Sequence, residues 1–208
     1  MPSREYHEGL WQTLPEGLEP VELALRKRFL LEHVRPGDRV LDIGCGEGVF
    51  AIELARAGAE VLGIDVAEEP LRRARARYPE LDLRLVDGEG PWELADASFD
   101  VIWAGEVIEH VADTTAWLSE VRRVLRSGGR LLLSTPAHEP LEVLRLALSR
   151  RAFAAHFEPR GDHLRFYARG TLTRLLGDFG FHEVDVRACA GPPGARRLLL
   201  ARALRSRF

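Results

Sequence analysis

Residues 40–50, read Val-Leu-Asp-Ile-Gly-Cys-Gly-Glu-Gly-Val-Phe, constrain the fold more than any other stretch. An apolar run with the look of a buried strand passes through Gly44, Gly46 and Gly48 and goes straight into a helical pattern. Glycines permit a tight turn and let a ligand come close to the backbone, and the free N–H groups at a helix start attract an anionic group. A strand, a glycine turn and a helix in this order mark the opening of a parallel βαβ sheet, with a nucleotide-like ligand as the natural occupant of the turn.

The rest of the chain agrees with such a sheet. Val21, Leu25 and Phe29 recur at helical spacing and predict a helix over 20–34, stopped by Pro36-Gly37. Strands over 39–43 and 60–64 alternate with helices over 48–57 and 67–77, followed by strands over 81–86 and 99–104, a helix over 113–126 and a strand over 130–134. Apolar strands alternating with amphipathic helices imply parallel units covered on both faces. Helices over 139–149 and 171–179 come next, the second with Leu172, Leu175, Leu176 and Phe179 on one face. Strands over 181–190 and 196–204 are joined by Gly191-Pro192-Pro193-Gly194, too short a connection for anything but antiparallel pairing. The expected fold is α/β: a Rossmann-like, doubly wound, mostly parallel seven-stranded sheet with a C-terminal antiparallel hairpin. The segment before residue 20 reads as irregular.

Composition bounds the setting. With 46% hydrophobic and 29% charged residues the chain is ordinary for a globular protein. No run approaches the roughly 20 apolar residues that span a bilayer, and the opening lacks the basic-then-apolar order of a signal peptide. A cytoplasmic location without a membrane partner is therefore expected. Cys45 and Cys189 are too few and too far apart in sequence for a disulfide framework or a thiolate metal site. Only Lys27 among the 29 basic residues is a lysine, and the arginines are spread through a chain of net charge −3. A nucleic-acid surface calls for a clustered basic patch instead, so no nucleic-acid partner is expected.

Two further carboxylates stand at predicted strand ends. Asp65 lies 23 residues after Asp42, where a carboxylate accepts hydrogen bonds from both hydroxyls of a ribose. Asp87 follows the next strand in Leu-Arg-Leu-Val-Asp-Gly. A dinucleotide fingerprint needs glycine at 49, where Val49 stands, and no Lys-Ser/Thr pair follows the glycines to cradle a triphosphate.

The ordered set of Asp-Ile-Gly-Cys-Gly-Glu-Gly, Asp65, Asp87-Gly88, Glu-Val-Ile-Glu-His-Val at 106–111 and the closing hairpin resembles the class I S-adenosylmethionine-dependent methyltransferases. The resemblance is strong over 37–135 and looser beyond. It implies S-adenosylmethionine as cofactor: Asp42 and the turn from Gly44 through Cys45 and Gly46 to Gly48 at the methionine part, Asp65 and Val66 at the ribose, Asp87 and Gly88 at the adenine edge, and Glu106 flanking the cofactor. It also divides the chain into an N-terminal lid and helix over 1–35, a cofactor-binding core over 36–135, an acceptor-side insertion with helices over 136–180 and the hairpin over 181–208, all within one domain.

Residues 106–111 and Leu-Leu-Leu-Ser-Thr-Pro at 131–136 most resemble the ubiquinone-biosynthesis O-methyltransferases. Metal-assisted members of that group would nominate Glu106, Glu109 and His110 for magnesium. Imidazole is a poor partner for that hard cation, so no metal is expected. Pro136-Ala137-His138 departs from the Asn-Arg pair of the quinone enzymes.

Methyl transfer from a sulfonium needs alignment above all, and a base if the acceptor is a hydroxyl. His110 and His163 are the candidate bases, with His7 and His138 behind them. Aromatic residues of the lid and insertion, among them Tyr6, Trp11, Phe153, Phe157, Phe166 and Tyr167, are candidates to enclose a small-molecule acceptor, while Arg160 and Arg165 leave room for an anionic one. The alternatives are a non-catalytic cofactor-binding module and an NAD-linked oxidoreductase.

Overall fold

The computed structural model describes residues 2–158, 161–192 and 195–207. In chain order the elements are α1 (Pro2–Thr13), α2 (Leu23–His33), β1 (Arg39–Ile43), α3 (Val49–Arg56), β2 (Glu60–Asp65), α4 (Glu68–Arg77), β3 (Asp82–Leu85), β4 (Phe99–Gly105), α5 (Thr114–Val124), β5 (Leu125–Pro136), α6 (Pro140–Ala147), α7 (Arg150–His156), α8 (Arg169–Asp178), β6 (Phe181–Cys189) and β7 (Leu198–Arg205).

The strands form one sheet in the order β3-β2-β1-β4-β5-β7-β6. The first five run parallel, β7 is antiparallel to β5, and β6 is antiparallel to β7. Strand periodicity decides which side chain goes to which face. Val40, Val101, Trp103 and Leu132 pack beneath Phe29 and Leu30 of α2 and Phe50 and Leu54 of α3. Leu41, Ile43, Ile102 and Leu131 point the other way, into Trp117, Leu118 and Val121 of α5 and Leu172 and Leu176 of α8. Asp42 is one residue from apolar neighbours on both sides and is itself buried.

The α/β, doubly wound, mostly parallel seven-stranded sheet with its antiparallel C-terminal pair is as expected, but several local features are not. The opening is the helix α1, not irregular chain; Gly9 lowers its intrinsic propensity and its apolar face is short, so docking supports it. The helix expected from residue 20 begins at Leu23, because Glu22 takes a left-handed conformation with φ 53°. The one helix expected over 139–149 ends early, and α7 starts anew where Ser149 accepts a hydrogen bond from Ala152 N at 3.2 Å. Leu125 passes directly from α5 into β5, two residues inside the expected helix. Pro193 and Gly194 of the hairpin turn, and Arg160, lie outside the described residues. Among the described residues no helix is long and apolar enough to cross a membrane.

Leu131 is fully buried in the middle of the sheet, whereas Leu148 beyond α6 is 81% exposed. L131A is expected to lower the unfolding free energy by about 2–5 kcal/mol through lost burial and a residual cavity, and L148A to change it by less than about 0.5 kcal/mol. Denaturant melts of the two variants check this; equal midpoints would contradict the assignment of the core.

Candidate functional site

Strand order reverses between β1 and β4, which leaves a crevice beyond the carboxyl ends of the central strands. A cavity of about 420 Å³ occupies it. Its walls come from the turn after β1, the ends of β2 and β4, the segments after β3 and β4, and from α1 and the chain that follows it.

The glycine turn is held against β2. Gly44 N and Cys45 N donate to Ile64 O at 2.8 and 3.1 Å, and Gly46 N donates to Asp65 Oδ2 at 2.9 Å. Gly44 has φ +66°, and a Cβ there would lie 2.6 Å from Val107 Cγ2, so both conformation and space demand glycine. Asp65 Oδ1 accepts from Ala67 N at 3.0 Å. An ionised carboxylate has about four acceptor positions, so Asp65 keeps lone pairs for a ligand after serving both amides. Burial pushes the Asp65 carboxyl above its usual range, while the amides of Ala67 and Gly46 draw it back.

The segment after β3 is pinned from below. Trp92 Nε1 donates to Gly88 O at 3.1 Å, and Trp92 N donates to Glu120 Oε1 at 2.6 Å. Val86, Gly88 and Trp92 all line the cavity. At the end of β4, Glu106 stands in the left-handed region with φ 59°, unusual for a residue with a side chain and typical of functional sites. Ser134 Oγ donates to its Oε1 at 2.9 Å, and Glu106 N donates to Ser134 O at 3.0 Å.

One wall carries a buried cation that sequence reasoning missed. Arg26 is 2% exposed, lines the cavity, and sits 4.7 Å from the centroid of the Phe50 ring. A signal was there: Arg26 lies three and four residues before Phe29 and Leu30, a charge on the apolar face of a helix. Burial lowers its pKa, and the carboxylates of Glu106, Glu109 and Asp42 oppose that. Asp42 is pushed up to about 8, mainly by burial and then by Asp65, against the pull of Arg26. Burial and Glu106 raise Glu109 likewise. Arg26 Nε, Asp42 Oδ2 and Glu109 Oε1 are buried side-chain atoms with no hydrogen-bond partner.

His110 borders the cavity, and its Nδ1 is 2.9 Å from Asp162 O. A carbonyl only accepts, so Nδ1 carries the proton and Nε2 presents a lone pair. Burial lowers the His110 pKa, with His163 and His7 adding to the effect and Asp162 opposing it.

Of the residues nominated from sequence, Gly44, Cys45, Gly46, Asp65, Val66, Gly88, Glu106 and His110 line this single cavity. Asp42, Gly48, Asp87 and His163 lie outside its lining. The Asp87 side chain is 87% exposed and paired to Arg4 at 2.8 Å. His163 instead packs its ring 4.9 Å from that of His110. One ligand-type atom from each of Glu109, His110 and His163 lies within 4.8 Å of the others, whereas Glu106 is engaged by Ser134. Two imidazoles and one carboxylate do not make the oxygen shell that magnesium requires. His7 and Trp11 of α1, also nominated from sequence, line the cavity, whereas His138, Tyr6, Phe153, Phe157, Phe166 and Tyr167 do not; besides Arg26, the structure adds Glu47 from the turn and Asp162 to the lining.

Asp42 holds its proton up to about pH 8 when folded but only to about pH 4 when unfolded. The unfolded chain therefore releases this proton first, and the contribution of Asp42 to stability falls as pH rises across that window. D42N, which keeps a neutral group in place, is expected to gain stability over the wild type progressively from about pH 4 to about pH 8. Denaturant unfolding at a series of pH values measures the difference; one that does not vary with pH would refute the assignment.

The methyltransferase-domain family matches residues 17–186 of the chain. A ubiquinone biosynthesis O-methyltransferase of Ruegeria sp. (strain TM1040) is 37% identical over 155 residues, covering 72% of this chain and 62% of that protein. The 27-O-demethylrifamycin SV methyltransferase of Amycolatopsis mediterranei (strain S699) is 39% identical over 137 residues, 61% of this chain and 49% of that one. The chain spans between 60% and 65% of the length of the first three curated relatives. Among solved structures, an S-adenosylmethionine-dependent methyltransferase from Mesorhizobium loti shares the fold with a TM-score of 0.69 and 23% identity, over 89% of this chain and 98% of that one. The chain belongs to the methyltransferase-domain family, within the class I S-adenosylmethionine-dependent methyltransferases.

Proposed function

We propose that the chain works as one methyltransferase domain that carries a methyl group from S-adenosylmethionine to a hydroxyl oxygen of a small, uncharged acceptor. One observation carries this reading: the glycine turn, Asp65, Gly88, Arg26 and Glu106 converge on a single cavity that His110 also lines.

The lining has the chemistry this cofactor needs. A zwitterionic amino-acid end complements the Arg26 guanidinium and the Glu106 carboxylate together. Asp65 offers its remaining lone pairs to ribose hydroxyls, and Val86, Gly88 and Trp92 form an apolar wall for an adenine ring. Bound there, S-adenosylmethionine supplies an electrophilic methyl group on a positively charged sulfur. The chain's own task is then chiefly positional, since alignment is worth about 7–11 kcal/mol against roughly 3–5 kcal/mol for a general base.

His110 is the base in this reading. The carbonyl of Asp162 fixes its tautomer, and Nε2 takes the proton that the acceptor hydroxyl sheds. Leu10, Leu14, Leu18 and Val21 make the outer part of the cavity apolar, and Glu19, Glu47, Glu89 and Asp162 make its polar part acidic. Arg26 is the only guanidinium that lines it among the described residues. A phosphorylated acceptor would meet repulsion here; an uncharged one meets none. The O-methyl chemistry in the names of the curated relatives supports oxygen as the atom methylated. The free thiols of Cys45 and Cys189 suit a reducing, cytoplasmic setting.

Calorimetric titration is expected to show saturable binding of S-adenosylmethionine and of S-adenosylhomocysteine; absence of both at millimolar ligand would remove the assignment. D65N, which loses the charge and can still accept from only one of the two loop amides, is expected to weaken cofactor binding by about 1.5–3 kcal/mol, and an unchanged dissociation constant would separate Asp65 from the ribose. In a labelled-methyl assay with a phenolic or alcoholic acceptor, H110Q is expected to lower kcat by about 10²- to 10⁴-fold while cofactor affinity holds. A kcat equal to that of the wild type would exclude His110 as the base.

A further inference from the structure

Helix α1 closes the cofactor cavity with one face. His7, Leu10 and Trp11, spaced at i, i+3 and i+4, line it, and so does Leu14 just past the end of the helix. The Trp11 ring lies so close to the glycine turn that a Cβ on Gly46 would be 3.2 Å from it. A helix with Gly9 near its middle and little apolar surface of its own needs fastening from outside.

The fastening is polar and sits on α4. At the amino end of α4 the N-cap position is Ala67, which has no side-chain acceptor to offer. Glu8 of α1 supplies it from 60 residues away: its Oε2 accepts from Glu68 N at 2.7 Å and Glu69 N at 3.2 Å. A carboxylate at a helix amino terminus satisfies free N–H groups and the helix dipole together. One turn further along α4, the Arg73 side chain is 8% exposed and every contact it makes serves the same assembly. Its Nη2 donates to Trp11 O at 2.9 Å and its Nη1 to Leu14 O at 3.0 Å, at the carboxyl end of α1 where a helix leaves carbonyls unpaired. Nη1 also donates to Glu47 Oε1 at 3.1 Å, and Nε to Glu69 Oε1 at 2.7 Å. Glu47 stands between Gly46 and Gly48, lines the cavity, and accepts from Gly17 N through Oε2 at 2.8 Å.

We propose that Arg73 is a positioning residue that latches α1 over the bound cofactor and ties that closure to the glycine turn through Glu47. The proposal rests on the cofactor assignment above. Arg73 does not itself line the cavity; it acts by holding Trp11 and Glu47 where they face the ligand. With α1 docked the cavity is covered from that side, so exchange of S-adenosylhomocysteine for fresh cofactor requires release of the contacts to Arg73 and Glu8. The planar fork of arginine suits this junction of two carbonyls and two carboxylates, and lysine cannot span it.

The test is the dissociation rate of S-adenosylhomocysteine from the full chain, followed by tryptophan fluorescence on displacement with excess S-adenosylmethionine, alongside separate kcat and KM values. R73M is expected to speed dissociation about tenfold and raise KM for the cofactor in step, with the association rate within about twofold, since losses of this kind fall on dissociation. R73K is expected to recover part of the effect, and E8Q to move the rate in the same direction from the other end of α1. R187M, whose parent residue is largely exposed on β6 and pairs with Asp185 away from α1 and α4, is expected to match the wild type. Thermal melts accompany each variant, and E8Q decides the matter should R73M not fold. Dissociation within twofold of the wild type in both R73M and E8Q, or a rise that merely follows lost global stability, would overturn the latch. Failure of the wild type to bind S-adenosylhomocysteine would instead overturn the cofactor assignment, and the latch with it.

Discussion

The amide of Gly46 donating to the carboxylate of Asp65 is the contact on which the site depends. It joins the turn after β1 to the end of β2, two segments 19 residues apart, and with the amides of Gly44 and Cys45 on Ile64 O it holds the turn open toward the crevice. Parallel strands give the frame, but they end in carbonyls and amides that need partners. Here the partners are arranged so that one carboxylate organises the protein and still has acceptor capacity facing outward.

Around that contact lies an unusual density of buried charge. Arg26 is set among Glu106, Glu109 and Asp42, and the carboxyls of Asp42 and Glu109 are driven toward their neutral forms by burial. A single guanidinium cannot hold three carboxylates ionised in a region of low dielectric, so protonation settles part of the balance. The buried atoms with no partner, Arg26 Nε, Asp42 Oδ2 and Glu109 Oε1, belong to this same cluster. Polar groups left in that condition cost stability in the free protein. Their concentration beside a cavity is the expected trade of a binding site against a purely structural core.

α1 and the loop carrying Asp162 complete the site from opposite directions. Leu164 N and Arg165 N both donate to Glu109 O, at 2.7 and 3.0 Å, which places Asp162 beside His110. The two histidine rings of His7 and His110 then meet edge to face at 5.7 Å across the cavity's outer part. Neither approach has a counterpart in local sequence: each depends on a partner at least 50 positions away.

What the sequence determined by itself was the frame and the inner wall of the cavity. Strand and helix periods, the glycine turn and Asp65 are local signals, readable within a few residues because backbone sterics and burial patterns act over that range. They were enough for the parallel order, the antiparallel closing pair, and the gathering of Gly44, Gly46 and Asp65 at one edge, while Gly88 and Glu106 came from the family resemblance. Tertiary structure alone decided the rest. It turned the Asp87 side chain out toward Arg4, sank Arg26 into the cavity wall, made a helix of the irregular opening, and laid that helix over the site. The physical reason is common to all four: each is set by a charge or hydrogen-bond partner far off in the chain, and a window of neighbouring residues contains no trace of which partner will arrive.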